Sequence, residues 1–525
     1  MSAITVDMLE VQCGLQMRDI LGFRIEQCKN NHTLVRITGI ISEDEGVSSS
    51  LLKQEGSPLT VLAVGEDEPL LLFGGFINAL QITHEGGGYI AVLEGISSTD
   101  LLDREEKCRS FQDVDMTYKE LVRKVLADTP DTEVIFHITD QKIGFPIYQY
   151  QETDWDFLKR VASQLGTSLL PAGISLKPEL YFGLPRGVYH ESDGIRIERV
   201  WFDQSYYQFF KKSAQIKKDC FVCRDIISYE KWKCGDRLLT EDGMEAVVTA
   251  VQAELEHGLL TWHYTTAQPE AFGTPRYENP RLAGLSLAGT VLETREESFR
   301  IWLNIDQEQP GSKTFWYPWM PETGNMMYCM PEAGEMVEIT LDDDRGNARG
   351  SRCIHRNVER HAELHEPSKR YFTTAQDKRM YLLPESVGFV DLKQKVPLKI
   401  DLDDSSGITI ESSRGIDLLA RSGVWLKAGV VSFIAPQEIS ILRRDLSDPV
   451  VINMCNGFDS IGKFGEVRMK GDGVTDFPIL DNHAKEYEMS EDLKEAVIAS
   501  TPRIAGSTET ERKITGTKVD SITMG

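Results

Sequence analysis

Three cysteines form the only group in this sequence whose spacing is typical of a metal site. Cys220 and Cys223 are separated by two residues, and Cys234 follows a short distance later. A structural zinc site needs four ligands in closed tetrahedral geometry. The nearest further candidate, His257, lies far along the chain. We therefore predict no metal site here and expect Cys220, Cys223 and Cys234 to be ordinary thiols.

Two groups of aspartates have a spacing that could serve catalysis or cation binding. Asp401, Asp403 and Asp404 could imitate the paired carboxylates of a β-helical glycosidase, and Asp342–Asp344 could hold a cation. Both groups fall on the polar side of an alternating strand or at a turn, where acidic side chains usually face water. We expect solvated side chains in both places.

The remaining signals for chemistry are weak. His355, His361 and His365 lie near one another but show no HExxH pattern, and the chain has no glycine-rich phosphate loop. The sequence thus predicts no catalytic residue, no cofactor-binding residue and no cofactor. We expect a protein that is not an enzyme.

Composition narrows the class of protein further. The 525 residues carry a formal charge of −25, from 82 acidic and 57 basic residues. A nucleic-acid binder needs a cationic surface that displaces counterions from phosphate, so this balance argues against one. The sequence has no run of about 18 apolar residues, so we expect no membrane-spanning helix. Its first residues do not resemble a secretory signal. The nine scattered cysteines suggest assembly in the reducing cytoplasm.

Most of the chain is predicted to be strand. Short alternating or apolar runs separated by turn residues cover 1–105 and return over 168–282. Closely spaced strands of this kind favour antiparallel barrels. We therefore predict a first β-barrel at 1–105, a helical insert at 106–167 and a second β-barrel at 168–282.

Two helices are expected inside the insert. The first covers about 118–127, with Asp115 or Thr117 as its cap. The second lies within 150–166, where Thr153 can cap the helix and Asp156 can complete a capping box. The second helix has one apolar stripe and a glycine where it should end, Gly166. The stripe consists of Trp155, Leu158, Val161, Ala162 and Leu165.

Residues 286–357 predict a small closed barrel of OB type. Phe299, Ile301, Leu303 and Ile305 alternate strictly, and a second alternating strand precedes the polar turn at 342–350. A charged linker is expected over 358–397. The tail, 475–525, is polar and contains one short predicted helix at 490–500.

Glycines at eight-residue spacing mark the stretch after this linker. Gly407, Gly415 and Gly423 are each followed by two apolar residues two positions apart. Each repeat is too thin to bury its own apolar face and needs neighbours. We favour three identical chains wound into a β-prism over 398–474. A β-meander packed on the rest of the monomer is the alternative.

Three of these segments, in this order, resemble the VgrG family, the spike proteins of type VI secretion systems, and the fused hub–spike proteins of contractile phage tails. The helical insert resembles the family's ETD-x-x-F-L-x-R run, and the end of the small barrel resembles the family's OB domain. The glycine-spaced repeats that begin at Gly407 resemble the β-prism that follows the OB domain in the family. The turn at 343–347 lacks the two prolines of the family pattern. The matching residues are Glu152, Thr153, Asp154, Phe157, Leu158, Arg160, Ala162, Gly166, Pro331, Gly334, Glu335, Val337, Gly350 and Asn357.

The resemblance covers about 1–470 and implies a mainly β homotrimer: a two-barrel hub, an OB collar and an intertwined β-prism. It implies that the spike caps a tube of Hcp-like hexamers on a baseplate and punctures a target membrane on injection. The protein would be cytoplasmic during assembly and then part of an ejected particle. A PAAR-like tip protein or an effector is expected at the C-terminal end.

Two other functions stay open from the sequence. The first is a β-helical carbohydrate-active enzyme that uses Asp401 or Asp403, and the second is an OB-fold nucleic-acid binder, which the charge disfavours. A lysozyme-like domain between the small barrel and the prism is not expected, because the segment between them is too short to fold one.

Overall fold

The computed structural model divides the chain into two units, Met1–His355 and Arg356–Gly525. It describes residues 3–41, 56–65, 68–85, 88–191, 196–210, 216–239, 243–308, 313–322, 328–354, 366–374, 376–393, 398–435, 440–443, 450–453 and 459–461. His355, His361, His365, Asn357 and the tail from 475 lie outside these residues.

The first unit is built mainly from strands, which confirms the predicted fold class. Its strands are β1 (Leu9–Gln12), β2 (Met17–Cys28), β3 (Leu34–Ile41), β4 (Pro58–Ala63), β5 (Leu70–Glu85), β6 (Gly88–Ser97), β7 (Lys107–Phe111), β8 (Glu133–Phe136), β9 (Ile147–Glu152), β10 (Leu169–Pro171), β11 (Glu179–Phe182), β12 (Tyr189–His190), β13 (Arg196–Phe202), β14 (Val222–Ser228), β15 (Arg237–Leu239), β16 (Glu245–Glu256), β17 (Leu259–Ala267), β18 (Ser286–Arg295), β19 (Ser298–Leu303), β20 (Tyr317–Pro318), β21 (Met336–Leu341) and β22 (Ala348–Cys353). Its α-helices are α1 (Tyr118–Leu126), α2 (Asp154–Gln164) and α3 (Tyr206–Phe210). No helix in the described residues is long and apolar enough to span a membrane.

One large sheet joins the two groups of strands that the sequence assigns to separate barrels. Its strand order is β1-β4-β5-β6-β3-β2-β16-β17-β14-β13, with β15 added beside β16 and β12 beside β15. The junction is the antiparallel pair β2–β16, in which Cys28 lies opposite Ala250 and Arg24 opposite Glu254. Residues just before β1 also hydrogen bond to the start of β17, through Val6 N to Gly258 O at 3.0 Å. The eight strands from β1 to β17 therefore form a nearly closed barrel around one apolar core.

The helical insert has its own core beneath α1 and α2. Thr117 caps α1 in a capping box with Glu120, and Thr153 caps α2 by accepting from Asp156 N. The Asp156 carboxylate does not complete the predicted box, because it lies 2.6 Å from Lys159 Nζ. β10 pairs with β11, and β11 pairs in parallel with β8 of the insert. Leu169, Leu180 and Phe182 therefore share the insert core.

The small barrel at 286–357 contains five strands in the order β20-β19-β18-β21-β22. A parallel bridge between Trp319 and Gly350 joins the two ends of this sheet, which closes it. The alternating residues predicted to face inward do so: Phe299, Ile301 and Leu303 are fully buried, as are Val337, Ile339 and Leu341. Gly350 must be glycine, because a Cβ there would lie 2.4 Å from Phe299 Cε1.

The second unit begins with a five-stranded antiparallel meander. Its strands are β23 (Arg370–Thr373), β24 (Lys378–Leu382), β25 (Ser386–Asp391), β26 (Lys399–Asp403) and β27 (Gly407–Glu411), and a separate sheet holds β28 (Ser440–Arg443), β29 (Val450–Asn453) and β30 (Asp459–Ile461). Three strands thus lie in the segment predicted as a linker, because its charged residues alternate with aromatic and aliphatic ones. Of the three repeat glycines, only Gly407 has a positive φ, at 84°.

Candidate assembly surface

The residues of the predicted helix motif hold the insert together. Arg160 Nε and Nη2 donate to the two carboxylate oxygens of Glu152 at 2.8 and 2.7 Å, and Nη2 also donates to Tyr148 O at 2.6 Å. Gly166 takes φ 65° after the helix, and Thr167 N donates to Ala162 O, which ends α2. These residues position secondary structure and leave no group free for chemistry.

A second ionic group surrounds the first residue of α2. Asp154, nearly fully buried, accepts from Lys107 Nζ at 2.7 Å, Arg109 Nη2 at 2.6 Å and Gln149 Nε2 at 2.9 Å. Asp128 bridges the same two cations from the solvent side. A carboxylate near a helix N-terminus is favoured by the helix dipole, and its two cationic partners tie β7 to α2.

Buried polar contacts join the insert to the small barrel. The hydroxyl groups of Tyr148 and Tyr317 lie 2.8 Å apart in the interior. Asp306 accepts from Ser110 N and Ser110 Oγ, both at 2.6 Å. Gly346, in the acidic turn, packs on the Tyr148 ring. These contacts therefore hold the small barrel against the helical insert within the first unit.

The candidate metal ligands are not brought together. Cys220 and Cys223 lie beside Phe221 in a small cluster, whereas Cys234 lies in the core of the large sheet. Burial raises the pKa of the Cys223 thiol to about 12, which keeps it protonated. Among the residues that the structure describes, no group of three His, Cys, Asp or Glu side chains could hold a metal ion.

The acidic residues have local structural partners. Asp343 Oδ1 accepts from Arg345 N and Asn347 N, and these contacts shape the turn. Asp403 accepts from the side chains and backbone of Ser405 and Ser406, and these hydrogen bonds lower the pKa of its carboxyl group. The contacts of Asp343 thus stabilise the polar turn that the sequence predicts at 342–350.

Asp401 does not resemble the acid of a glycosidase. Lys399 Nζ lies 2.7 Å from Asp401 and Tyr381 Oη donates to it at 2.7 Å. These contacts lower the pKa of Asp401, whereas a glycosidase acid needs a raised one. Hydrogen bonds from Ser405 and Ser406 lower the pKa of Asp403 in the same direction.

One face of the meander is apolar and exposed. Cross-strand register places a row of large side chains on this face, and a second row lies beside it. The first row is Phe372, Met380, Phe389, Ile400 and Ile410, and the second contains Leu382, Val387, Leu402 and Ile408. All except Met380 are exposed, and Ile408 is 72% exposed. We call these nine residues the apolar face.

The opposite face of the meander is more polar than the apolar face, and its side chains contact one another. Tyr381 is buried over Gly388, where a Cβ would lie 2.4 Å from its hydroxyl oxygen. Arg379 stacks on the Tyr371 ring at 4.8 Å. Most of the apolar face was not predicted from the sequence, because β23–β25 lie in the segment expected to be a linker. The alternation of Phe372, Met380 and Leu382 was the signal that could have identified it.

The segment that follows the meander also has large apolar side chains that are exposed. Residues 412–435 contain no strand, and their large side chains are exposed: Leu419 is 94% and Trp425 is 82% exposed. The predicted apolar pairs, Ile416 with Leu418 and Val424 with Leu426, lie in this segment and are exposed as well. Both the apolar face and this segment therefore lack a covering surface within the described part of the second unit.

Several solved structures are similar to this chain. The E. coli c3393 protein, a component of the type VI secretion system that is structurally similar to the T4 bacteriophage tail proteins gp27 and gp5, matches with TM-score 0.48 and 16% identity over 66% of this chain and 99% of that chain. A chain of the half-lidded Francisella PdpA–VgrG complex matches with TM-score 0.49 and 8% identity, over 78% of this chain and 88% of that chain.

A 43 kDa tail protein of prophage MuSo2 from Shewanella oneidensis matches with TM-score 0.39 and 10% identity, over 50% of this chain and 98% of that one. No family model and no curated protein matches the chain. The structural neighbours are the same class of proteins that the sequence resembles, and at these identities the likeness is one of fold.

Proposed function

We propose that this protein is the structural hub–spike of a contractile injection system and works as a homotrimer without catalysis. The observation that carries this proposal is the apolar face of the meander together with the exposed segment 412–435. Fully burying one large aliphatic or aromatic side chain contributes roughly 1.5–3 kcal/mol. Contiguous exposed apolar surface of this kind marks an interaction site.

Further copies of the same chain are the partner that fits best. Residues 412–435 have apolar pairs at eight-residue spacing and no strand partner in the described residues. Three copies wound about a common axis would give each backbone a neighbour and would bury these pairs together. A partner of another kind would need a matching repeat of its own.

Each predicted domain would have its own role in this trimer. The strands of 1–105 and 168–282, with the insert at 106–167, would form the hub. The small barrel at 286–357 would be an OB-type collar, and 398–474 would form a β-prism spike extended upstream by β23–β25 of the meander. A stiff prism would transmit force to the target membrane, while the hub would spread that load onto the tube.

The other proposed partners follow from the same role. The hub would contact an Hcp-like tube hexamer and baseplate proteins, and the end of the chain, 475–525, would contact a PAAR-like tip protein or an effector. The protein would assemble in the cytoplasm and leave in an ejected particle. Deleting 476–525 should abolish copurification of a tip or cargo protein, and unchanged copurification would contradict this role of the tail.

The mass of the assembly tests the central proposal. Native mass spectrometry of the full chain should give three copies per particle, and this trimer should resist dissociation in mild detergent. A monomer or a dimer as the dominant species would overturn the proposal. The alternative of a carbohydrate-active enzyme is tested separately: it predicts a monomer whose turnover is lost in Asp401→Asn, whereas the proposed spike is a trimer with no turnover.

A further inference from the structure

A cavity inside the first unit belongs to none of the surfaces described above. It has a volume of about 440 Å³ and lies between β2, β5, β10, β11 and the loops at 185–188 and 231–236. Ligand pockets typically have volumes of about 300–1,000 Å³. The apolar part of its wall is formed by Ile25, Leu72, Leu170, Tyr181 and Val251. The cavity is thus large enough for a small organic molecule.

A lysine without a counterion lines this cavity. Lys231 Nζ donates to Leu71 O at 2.7 Å, and within the described residues no carboxylate lies within ion-pair distance of it. An ammonium group has three N–H donors, so the one hydrogen bond leaves donor capacity for a further acceptor. The Nζ atom also lies 5.9 Å from the centre of the Trp262 ring.

Two indole side chains, Trp232 and Trp262, also line the cavity. Trp232 is 4% and Trp262 is 2% exposed, and the Nε1 atom of each is buried with no hydrogen-bond partner among the described residues. The Trp232 ring is fixed between His190, at 4.6 Å, and Tyr264, at 4.8 Å. The two aromatic rings therefore add to the apolar part of the cavity wall.

The charges around the cavity favour an anion. The Asp236 carboxylate is already engaged, because it accepts from Val188 N and Lys233 N and lies 2.8 Å from His190 Nε2. Lys231 and the exposed side chains of Lys233 and Arg186 also line the cavity. These cations stand out in a chain whose net charge is −25.

We propose that this cavity binds a small organic anion with an apolar body, of the medium-chain carboxylate class. The anionic group would accept a hydrogen bond from Lys231 Nζ, and the apolar body would lie against Ile25 and Leu72. This site is independent of the trimer and of any role in injection.

Octanoate is a suitable probe, and neutral octan-1-ol is its matched control. Isothermal titration of the full chain should show saturable binding of octanoate at one site per chain and binding of octanol at least about tenfold weaker, since charge-assisted hydrogen bonds distinguish the two. Equal binding of both compounds, or no binding of octanoate, would overturn the proposal.

Variants then locate the site. Lys231→Met should weaken octanoate binding at least about tenfold, while Lys231→Arg should retain binding within a few fold. Lys29→Met is the matched control, because Lys29 is also a buried lysine but donates to Ala271 O and Gly273 O outside the cavity. Circular dichroism of each variant confirms folding. Octanoate affinity unchanged in folded Lys231→Met would contradict the assignment.

Discussion

Arg160 and Glu152 form a two-point ion pair inside the helical insert, with Nε–Oε1 and Nη2–Oε2 distances of 2.8 and 2.7 Å. The Arg160 side chain is 2% exposed. Such bidentate pairs combine charge with fixed geometry. The pair clamps the end of β9 to the middle of α2, on either side of the Thr153 cap.

Removing one member of this pair should destabilise the insert strongly. Glu152→Ala leaves the buried Arg160 charge without its carboxylate, so that only the hydrogen bond to Tyr148 O remains, and removing one member of a buried ion pair costs about 3–5 kcal/mol. Hydrogen–deuterium exchange of α2 should show a matching fall in the opening free energy. Asp156→Ala is the control on the same helix: it removes a surface pair with Lys159 and should cost about 1 kcal/mol or less. Equal effects of the two variants would contradict the clamp.

The Tyr148–Tyr317 contact should couple the insert to the small barrel. Tyr148→Phe or Tyr317→Phe leaves one buried hydroxyl without its partner, which costs about 1–3 kcal/mol. The double variant removes both hydroxyls and should cost less than the sum of the single variants. Thermal unfolding of the four proteins gives this coupling, expected at about 0.5–3 kcal/mol. Tyr189→Phe, at an exposed hydroxyl, should change nothing, and additive single effects would exclude the coupling.

Lys231 should make stability depend on alkaline pH. Burial lowers the pKa of Lys231 to about 8, below its usual value of 10.5. Between these values the unfolded chain binds a proton that the folded chain has lost, so folding gains stability as pH rises from 8 to about 10. Lys231→Met should therefore be more stable than the natural protein at pH 7, by about 2–3 kcal/mol, and equally stable near pH 10. Lys29, whose pKa burial also lowers, contributes to both proteins and cancels in this comparison.

Thermal midpoints of the two proteins at pH 7 and near pH 10 check this effect. The expected difference is present at pH 7 and absent at the higher pH. A difference that does not change with pH would show that the methionine acts through packing instead of charge.

A charge on the apolar face should dissociate the proposed trimer without unfolding the chain. Ile400 is 44% exposed, so Ile400→Asp places a carboxylate in water in the monomer but in an apolar interface in the trimer. Size-exclusion chromatography with light scattering should then report a smaller particle. Thr409→Asp lies in the same sheet on the opposite face and should keep the original mass. An intact particle in Ile400→Asp would place the interface elsewhere.

Local patterns predicted much of the first unit. Thr117 and Thr153 were recognisable caps because a cap depends on the few residues that follow it. The alternation of Phe299, Ile301 and Leu303 was enough to assign a buried strand face. The capping box predicted at Asp156 does not form, and the Asp156 carboxylate pairs with Lys159 instead.

Long-range pairing could not be predicted in the same way. The register of β2 on β16 depends on contacts between residues such as Cys28 and Ala250, which no local pattern links. The cavity at Lys231 was equally hidden, since its walls come from segments distant in sequence.

The β2–β16 junction also constrains how the chain is made. When β2 leaves the ribosome its partner has not yet been synthesised, so one edge of β2 stays unpaired through the synthesis of the whole insert. Unpaired edges of this kind invite wrong pairing between chains, and such distant contacts form slowly. We therefore expect the unpaired edge of β2 to be open to wrong pairing until β16 emerges.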